Sequence, residues 1–307
     1  MPKMNIVRRQ KIDADPAKVY QIIADMSSWQ KWSPWLIMEQ DAKVDVNADV
    51  TQYKWTGKRV GEGEMQITDQ QPGEWIDYDL SFYKPWKSKA KIRMKVNPVE
   101  GGTDVEWHMD SKLPWFMWWM RKPMEAYLGN DYERGLLLLN DYAKDGEVHS
   151  HLREQGRVQL PATKWVGISR SMPLAEAPAQ MGKDFQALMP YAHQDNDLRP
   201  HEAFCVYHKW DMVKGKASWT AAVPCDTVPV DLPAGWKVGE RPACIVETVE
   251  HTGPYQHIGN AWAMMANRAR NKEFKTVKGL HPFETYGNSP MDTAPNDLIS
   301  RIHFPVK

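Results

Sequence analysis

The spacing of apolar positions changes along the chain, and each change marks an element. Asn5 to Ile12 is strand-like. Asp15-Pro16 then offers a capping carboxylate and a proline for the first helical position, ahead of a helix Ala17–Ala24 with Val19, Ile22 and Ile23 on one face. After the segment Asp25 to Trp35, strands are predicted near 41–46, 50–56, 60–69, 74–83, 87–97 and 103–110, with turns at Pro72-Gly73 and Gly101-Gly102. Connections this short favour an antiparallel meander. A long helix is expected over Pro123–Lys144, its apolar side carried by Leu136 to Leu139. Such a helix crosses a curved sheet and encloses a cavity against it.

The second half repeats an order of elements. A strand near Thr163–Arg170, a helix near 174–189 and strands near 203–210 and 216–223 form one unit. A strand near Ala243–His251, a helix near Pro254–Arg270 and strands near 282–287 and 298–304 form another. Two such units predict a pseudo-twofold pair with a groove between helices and strands. The polar span Asp145–Gly156 separates the halves, so the expected division is a domain 1–146, a linker 147–157 and a domain 158–307. The fold class is α+β.

Composition adjusts this picture in three ways. A length of 307 residues suits two domains of about 150 each. The 39 basic and 39 acidic residues cancel, which lacks the surplus that nucleic-acid binders use and predicts no direct nucleic-acid binding. Cys205, Cys225 and Cys244 are odd in number and widely spaced, and the basic N-terminus lacks an apolar signal segment; the expectation is reduced thiols in a cytoplasmic protein.

The most informative chemistry lies in His281-Pro-Phe-Glu284-Thr-Tyr286. Alternate residues of a strand share a face, so Glu284 and Tyr286 point the same way. A carboxylate beside a phenol, in a chain with 15 Trp and 11 Tyr, suits a flat or cationic organic molecule. Tyr255, after Gly253-Pro254, and Trp262, on the following helix, are further candidates, each of which also suits core packing. Trp165, Tyr207 and Trp219 on the first unit's strands are less distinguishable lining candidates. Cys244 reads as a small buried hydrophobe, and His251 and His257 as capping or surface residues.

Two stretches carry family resemblances. Asp25-Met-Ser-Ser-Trp29-Gln-Lys-Trp32-Ser-Pro-Trp35, the Gly61-Glu-Gly63 turn, Gly102-Thr-Asp-Val-Glu-Trp107 and Gly135-Leu136 resemble a polyketide cyclase-like SRPBCC (START/Bet v 1-type) domain over about 1–145. That resemblance implies a helix-grip fold with an apolar cavity and carries over no universal catalytic residue. Residues 158–307 resemble the GyrI-like effector-binding module, through His251-Thr-Gly-Pro-Tyr255, Ala261-Trp262, Phe283-Glu-Thr-Tyr286, Asn288-Ser-Pro290 and Ile302-His-Phe-Pro-Val306. It implies that Glu284 is the acidic ligand contact and that Tyr255, Trp262 and Tyr286 line the site. Regulators of that family carry a helix-turn-helix ahead of the module; here the preceding part is the SRPBCC-like domain, so the regulatory role does not transfer.

Catalytic patterns are sparse. Gly167-Ile-Ser-Arg-Ser171 lacks the second glycine of a nucleophile elbow, Gly61-Glu-Gly-Glu-Met-Gln66 misses the dinucleotide fingerprint, and there is no P-loop, so no cofactor is expected. His149 and His151 have no supporting ligands, and no metal site is expected. The aromatic run Trp115-Phe-Met-Trp-Trp119 must be buried by something: a cavity lid, the second domain or a dimer partner. Leu113–Met120 is far short of the ~20 residues of a membrane span, and its basic flanks are weak, so no membrane contact is expected. Two functions remain. The first is a binder that senses or sequesters hydrophobic or cationic small molecules against Glu284. The alternative is a hydrolase of reactive small molecules, implied by some GyrI-like proteins, with Glu284 as general base and Tyr255 as positioning or proton-donating group.

Overall fold

The computed structural model describes residues 3–194 and 197–307. The chain divides into two compact units, Met1–Ser150 and His151–Lys307. In the first, β1 (Lys3–Ile12) is followed by α1 (Pro16–Ala24), a one-turn helix α2 (Trp29–Trp32), and strands β2 (Lys43–Val46), β3 (Gln52–Gly57), β4 (Gly61–Gln71), β5 (Trp75–Lys84), β6 (Ser88–Val99) and β7 (Gly102–Lys112). Their order, β1-β7-β6-β5-β4-β3-β2, is a meander whose last strand pairs with the first, antiparallel throughout. The predicted cap forms: Asp15 Oδ1 accepts from the Ala17 N–H at 2.8 Å, with Pro16 at the first helical position. The long helix α3 (Arg121–Asp145) packs against β1 and ends on Gly146, whose φ of 82° is the left-handed conformation that glycine adopts most readily.

The interior of this unit, where the resemblance implies an apolar cavity, is lined by large rings. Trp29, Trp32, Trp107, Tyr78 and Tyr132 are all fully buried. Trp107 stacks on Tyr132 at 4.2 Å between centroids and meets Trp29 edge-on at 5.6 Å. The three-residue spacing of Trp29 and Trp32 places both on α2, and both belong to this core. The Gly61-Glu-Gly63 signature also has a physical reading. A Cβ on Gly63 would run into the Trp55 ring and lie 2.6 Å from the Ser81 carbonyl oxygen. Gly63→Ala is therefore expected to destabilise this unit by about 1–3 kcal/mol in urea unfolding.

The second unit is one eight-stranded sheet: β8 (His151–Leu160), β9 (Thr163–Pro173), β10 (Phe204–Asp211), β11 (Lys216–Pro224), β12 (Lys237–Arg241), β13 (Cys244–Thr252), β14 (Phe283–Tyr286) and β15 (Ile299–Val306). Helix α4 (Ala177–Ala192) covers β9 and β11, and α5 (Gly259–Arg270) covers β13 and β15. The strand order β12-β9-β11-β10-β14-β15-β13-β8 reads the same from either end once the repeat is allowed for. Each repeat is strand-strand-helix-strand-strand, and its first strand crosses to the outer edge of the other repeat. The stretch expected as a linker therefore turns into β8 from His151, where it pairs with β13. Neither β8 nor β12 contains a fully buried residue, so their sequences carry no hydrophobic alternation. Two further expectations need correction: His251 and His257 are buried, and Cys244 is only half-buried, while Cys205 and Cys225 are buried. None of the three cysteines forms a disulfide among the described residues.

Candidate functional site

The two repeats meet where β10 pairs with β14, and this central strip lies between the strands covered by α4 and α5. The register sets Phe204 opposite Thr285, Cys205 opposite Glu284 and Val206 opposite Phe283. That pairing superimposes Phe204-Cys-Val-Tyr207 on Phe283-Glu-Thr-Tyr286 about an axis through the Cys205–Glu284 pair. Alternation then places Cys205, Tyr207, Glu284 and Tyr286 on one face. One repeat supplies a small thiol where the other supplies the carboxylate, and both supply a tyrosine.

Glu284 is 3% exposed. Its Oε1 accepts a short hydrogen bond from Trp262 Nε1 of α5. Its Oε2 accepts from the Tyr286 hydroxyl at 2.8 Å, and the Tyr207 phenol faces the same carboxyl. Tyr207 also meets Trp262 edge-on at 4.9 Å. Tyr286 is contacted edge-on by Phe185 of α4 at 5.4 Å and by Tyr255 at 5.8 Å. The carboxyl is thus enclosed by rings from both repeats. All four residues singled out in the sequence fall in this cluster. Tyr207 joins them through its edge-on contact with Trp262, whereas Trp219, opposite it in register, is fully buried, and Trp165 lies against Gly239 of β12. Phe185 has no sequence signal of its own. Tyr207 does: its tetrapeptide repeats that of Glu284 and Tyr286.

Burial raises the Glu284 pKa above the ordinary carboxylate value, and the interactions with Trp262, Tyr286 and Tyr207 offset this only in part. The neighbouring phenols respond in kind. Burial first and the Glu284 charge second push Tyr207 and Tyr286 well above the usual tyrosine value, and Tyr255 in the same direction. Cys205 is raised by burial and by Glu284, which keeps it a thiol. Among the described residues Glu284 makes no ion pair, and its two hydrogen-bond donors, Trp262 and Tyr286, are neutral. A buried carboxylate held by neutral donors and faced by aromatic rings has unmet demand for positive charge.

The first unit matches the family model for "Polyketide cyclase / dehydrase and lipid transport" over residues 3–144, and the second the model for "GyrI-like small molecule binding domain" over residues 157–307. The chain is a polyketide cyclase-like domain fused to a GyrI-like small-molecule-binding domain. Among solved structures it is similar to SAV2435 bound to tetraphenylphosphonium, at 20% identity over 50% of this chain and 94% of that one, TM-score 0.42. It is also similar to EcmrR in a complex with DNA, at 16% identity over 61% of this chain and 65% of that one, TM-score 0.42. The Aha1 dimer from Colwellia psychrerythraea matches at 22% identity over 47% of this chain and 98% of that one, TM-score 0.34. No curated protein matches the chain. No helix among the described residues is long and apolar enough to cross a membrane.

Proposed function

We propose that the GyrI-like half binds hydrophobic organic cations, with Glu284 as the counter-charge and Tyr207, Tyr255, Trp262 and Tyr286 as the aromatic walls, and so senses or sequesters such molecules. The observation that carries this reading is the carboxyl group of Glu284, buried and bonded to two neutral donors with no cationic partner among the described residues. A ligand cation would supply the missing charge, and the ring faces would add cation–π attraction of about 0.5–2 kcal/mol each. Tyr255, at 37% exposure, is the most exposed member of the set, and in this reading it closes over the ligand. DNA contact is left out of the role, on the balance of 39 basic and 39 acidic residues.

Calorimetric titration with tetraphenylphosphonium, and with triphenylphosphine oxide as a neutral molecule of similar bulk, tests this directly. The cation is expected to bind at least about tenfold more tightly at neutral pH, one tenfold step being 1.4 kcal/mol. The preference should shrink as pH falls through the raised Glu284 value. Equal affinity for the two at every pH would refute the reading.

A second reading has one observation in its favour. A carboxyl group whose pKa burial has raised is closer to what a general base needs near neutrality. Glu284 would then activate water, with Tyr255 positioning the substrate. The donors already holding the carboxyl, one on each oxygen, favour binding over turnover, because they compete with a water for the same oxygens. Product formation by the wild type that Glu284→Gln abolishes while retaining substrate binding would select the hydrolase.

A further inference from the structure

The aromatic run after β7 is not covered by the fold of the first unit. Trp115 is 75% exposed, Trp118 69% and Trp119 61%, on a short 3-10 segment spanning Trp115–Met120. Trp86, in the turn between β5 and β6, is 59% exposed. The register puts this turn and the end of β7 side by side: Ala90 pairs with Ser111, and Ser111 Oγ donates to the Lys89 carbonyl at 2.8 Å. Four large rings therefore stand free at one end of the first unit's sheet. Exposed aromatic surface on this scale is uncommon without a partner.

The same end is basic. Along the sequence, charge near residues 113–120 is thin, but the meander returns several lysines to this level. Lys3 of β1 is paired in register with Lys112 of β7, and Lys89 is the second residue of the next strand over, β6. Lys84 and Lys87 flank Trp86, and Lys122 follows the aromatic segment. Lys84 is bridged to Glu62 and Arg121 to Glu125, and most of the row has no ion-pair partner among the described residues. Like charges placed directly opposite on neighbouring strands destabilise a sheet, so the Lys3–Lys112 pair is not explained by folding.

We propose that this end of the polyketide cyclase-like domain docks on an anionic phospholipid bilayer surface, with Trp86, Trp115, Trp118 and Trp119 at headgroup depth and the lysine row over the lipid phosphates. Tryptophan settles at the membrane–water interface because its ring is apolar and its N–H is not. Lysines near an anionic leaflet each add attraction that salt screens. Charge also decides against a second copy as occupant: a symmetric dimer through these rings would oppose two lysine rows. The expectation of no membrane contact rested on local flanks, and the fold assembles the charge from strands far apart in sequence.

Co-sedimentation of the full chain with vesicles tests the proposal, using phosphatidylcholine alone or with about 30 mol% phosphatidylserine. Binding is expected to the anionic vesicles, weakening between about 0.1 and about 0.5 M salt, with tryptophan emission quenched by brominated acyl chains. Trp118→Ser with Trp119→Ser, and separately Lys87→Glu with Lys112→Glu, should each weaken binding at least about tenfold. All four side chains are exposed, so circular dichroism should stay native; Lys112→Glu also removes the like-charged pair. Glu284→Gln should bind vesicles as the wild type does, which separates this outcome from that of the cation site. The proposal is overturned by no binding to anionic vesicles, by equal binding of the tryptophan variant, or by a dimer that this variant breaks while vesicles are ignored.

Discussion

Glu284→Gln is expected to weaken organic-cation binding by about thirtyfold or more and, at neutral pH, to make the GyrI-like half harder to unfold. Both effects come from one feature. The ionised carboxylate sits where burial penalises charge more than Trp262, Tyr286 and Tyr207 relieve it. Its folded-state pKa therefore lies above the unfolded value, so the folded state holds this proton to higher pH. Stability falls as pH rises through that window and stays lower above it. Glutamine is nearly isosteric and neutral, so it removes the penalty but gives a cation nothing to pair with. A site that is destabilising when empty and useful when filled is the expected trade between stability and function. Urea unfolding of both proteins with and without tetraphenylphosphonium reads the two effects together. A variant less stable than wild type at neutral pH, or with unchanged cation affinity, would contradict the account.

Acid should destabilise the same unit strongly, by a route separate from Glu284. His303 lies between Thr248 and Thr285, its two ring nitrogens each 2.9 Å from a threonine hydroxyl, and is stacked on Phe283. Burial, with Arg241 and Arg301 nearby, drives its pKa down to about 3. Burial, with His257 and His151, drives His251 down to about 4. Both imidazoles are therefore neutral in the folded state at a pH where the unfolded chain binds protons. Stability is full above the unfolded value of about 6.5 and is lost as pH falls toward the two folded values. Between pH 7 and 5 the combined loss is on the order of 3–4 kcal/mol, with the Glu284 contribution acting in the opposite direction. Unfolding midpoints measured across this range should show it. His303→Gln, which keeps hydrogen-bonding capacity without the titration, should remove about half of the slope. A flat profile would mean that the histidines are solvated.

The residues differ in how openly the sequence announced their places. The strand and helix periods of the first unit carried its meander and long helix, because one face of each element is buried there and the pattern records it. The strands β8 and β12 went unread: each is an outer edge with no fully buried residue, so no alternation was imposed on it. Their exchange between repeats is a matter of topology that local pattern does not hold. At the site, the i, i+2 spacing was enough to place Glu284 and Tyr286 on one face, and their side chains do bond. Trp262 suited core packing as well as lining, and only the crossing of α5 over the sheet shows its N–H aimed at Glu284. Tyr207 was visible in principle, since Phe204-Cys-Val-Tyr207 repeats Phe283-Glu-Thr-Tyr286 with a thiol in place of the carboxyl. For Trp115–Trp119, composition calls for a cover, and the fold of the first unit supplies none at the end of β7.

The central claim is that Glu284 is a buried anion lacking a cation, and carbon-13 NMR titration of its carboxyl carbon measures this directly. The account predicts a pKa above the ordinary glutamate value in the free protein and a downward shift when tetraphenylphosphonium is bound. An ordinary value that the cation leaves unmoved would contradict it.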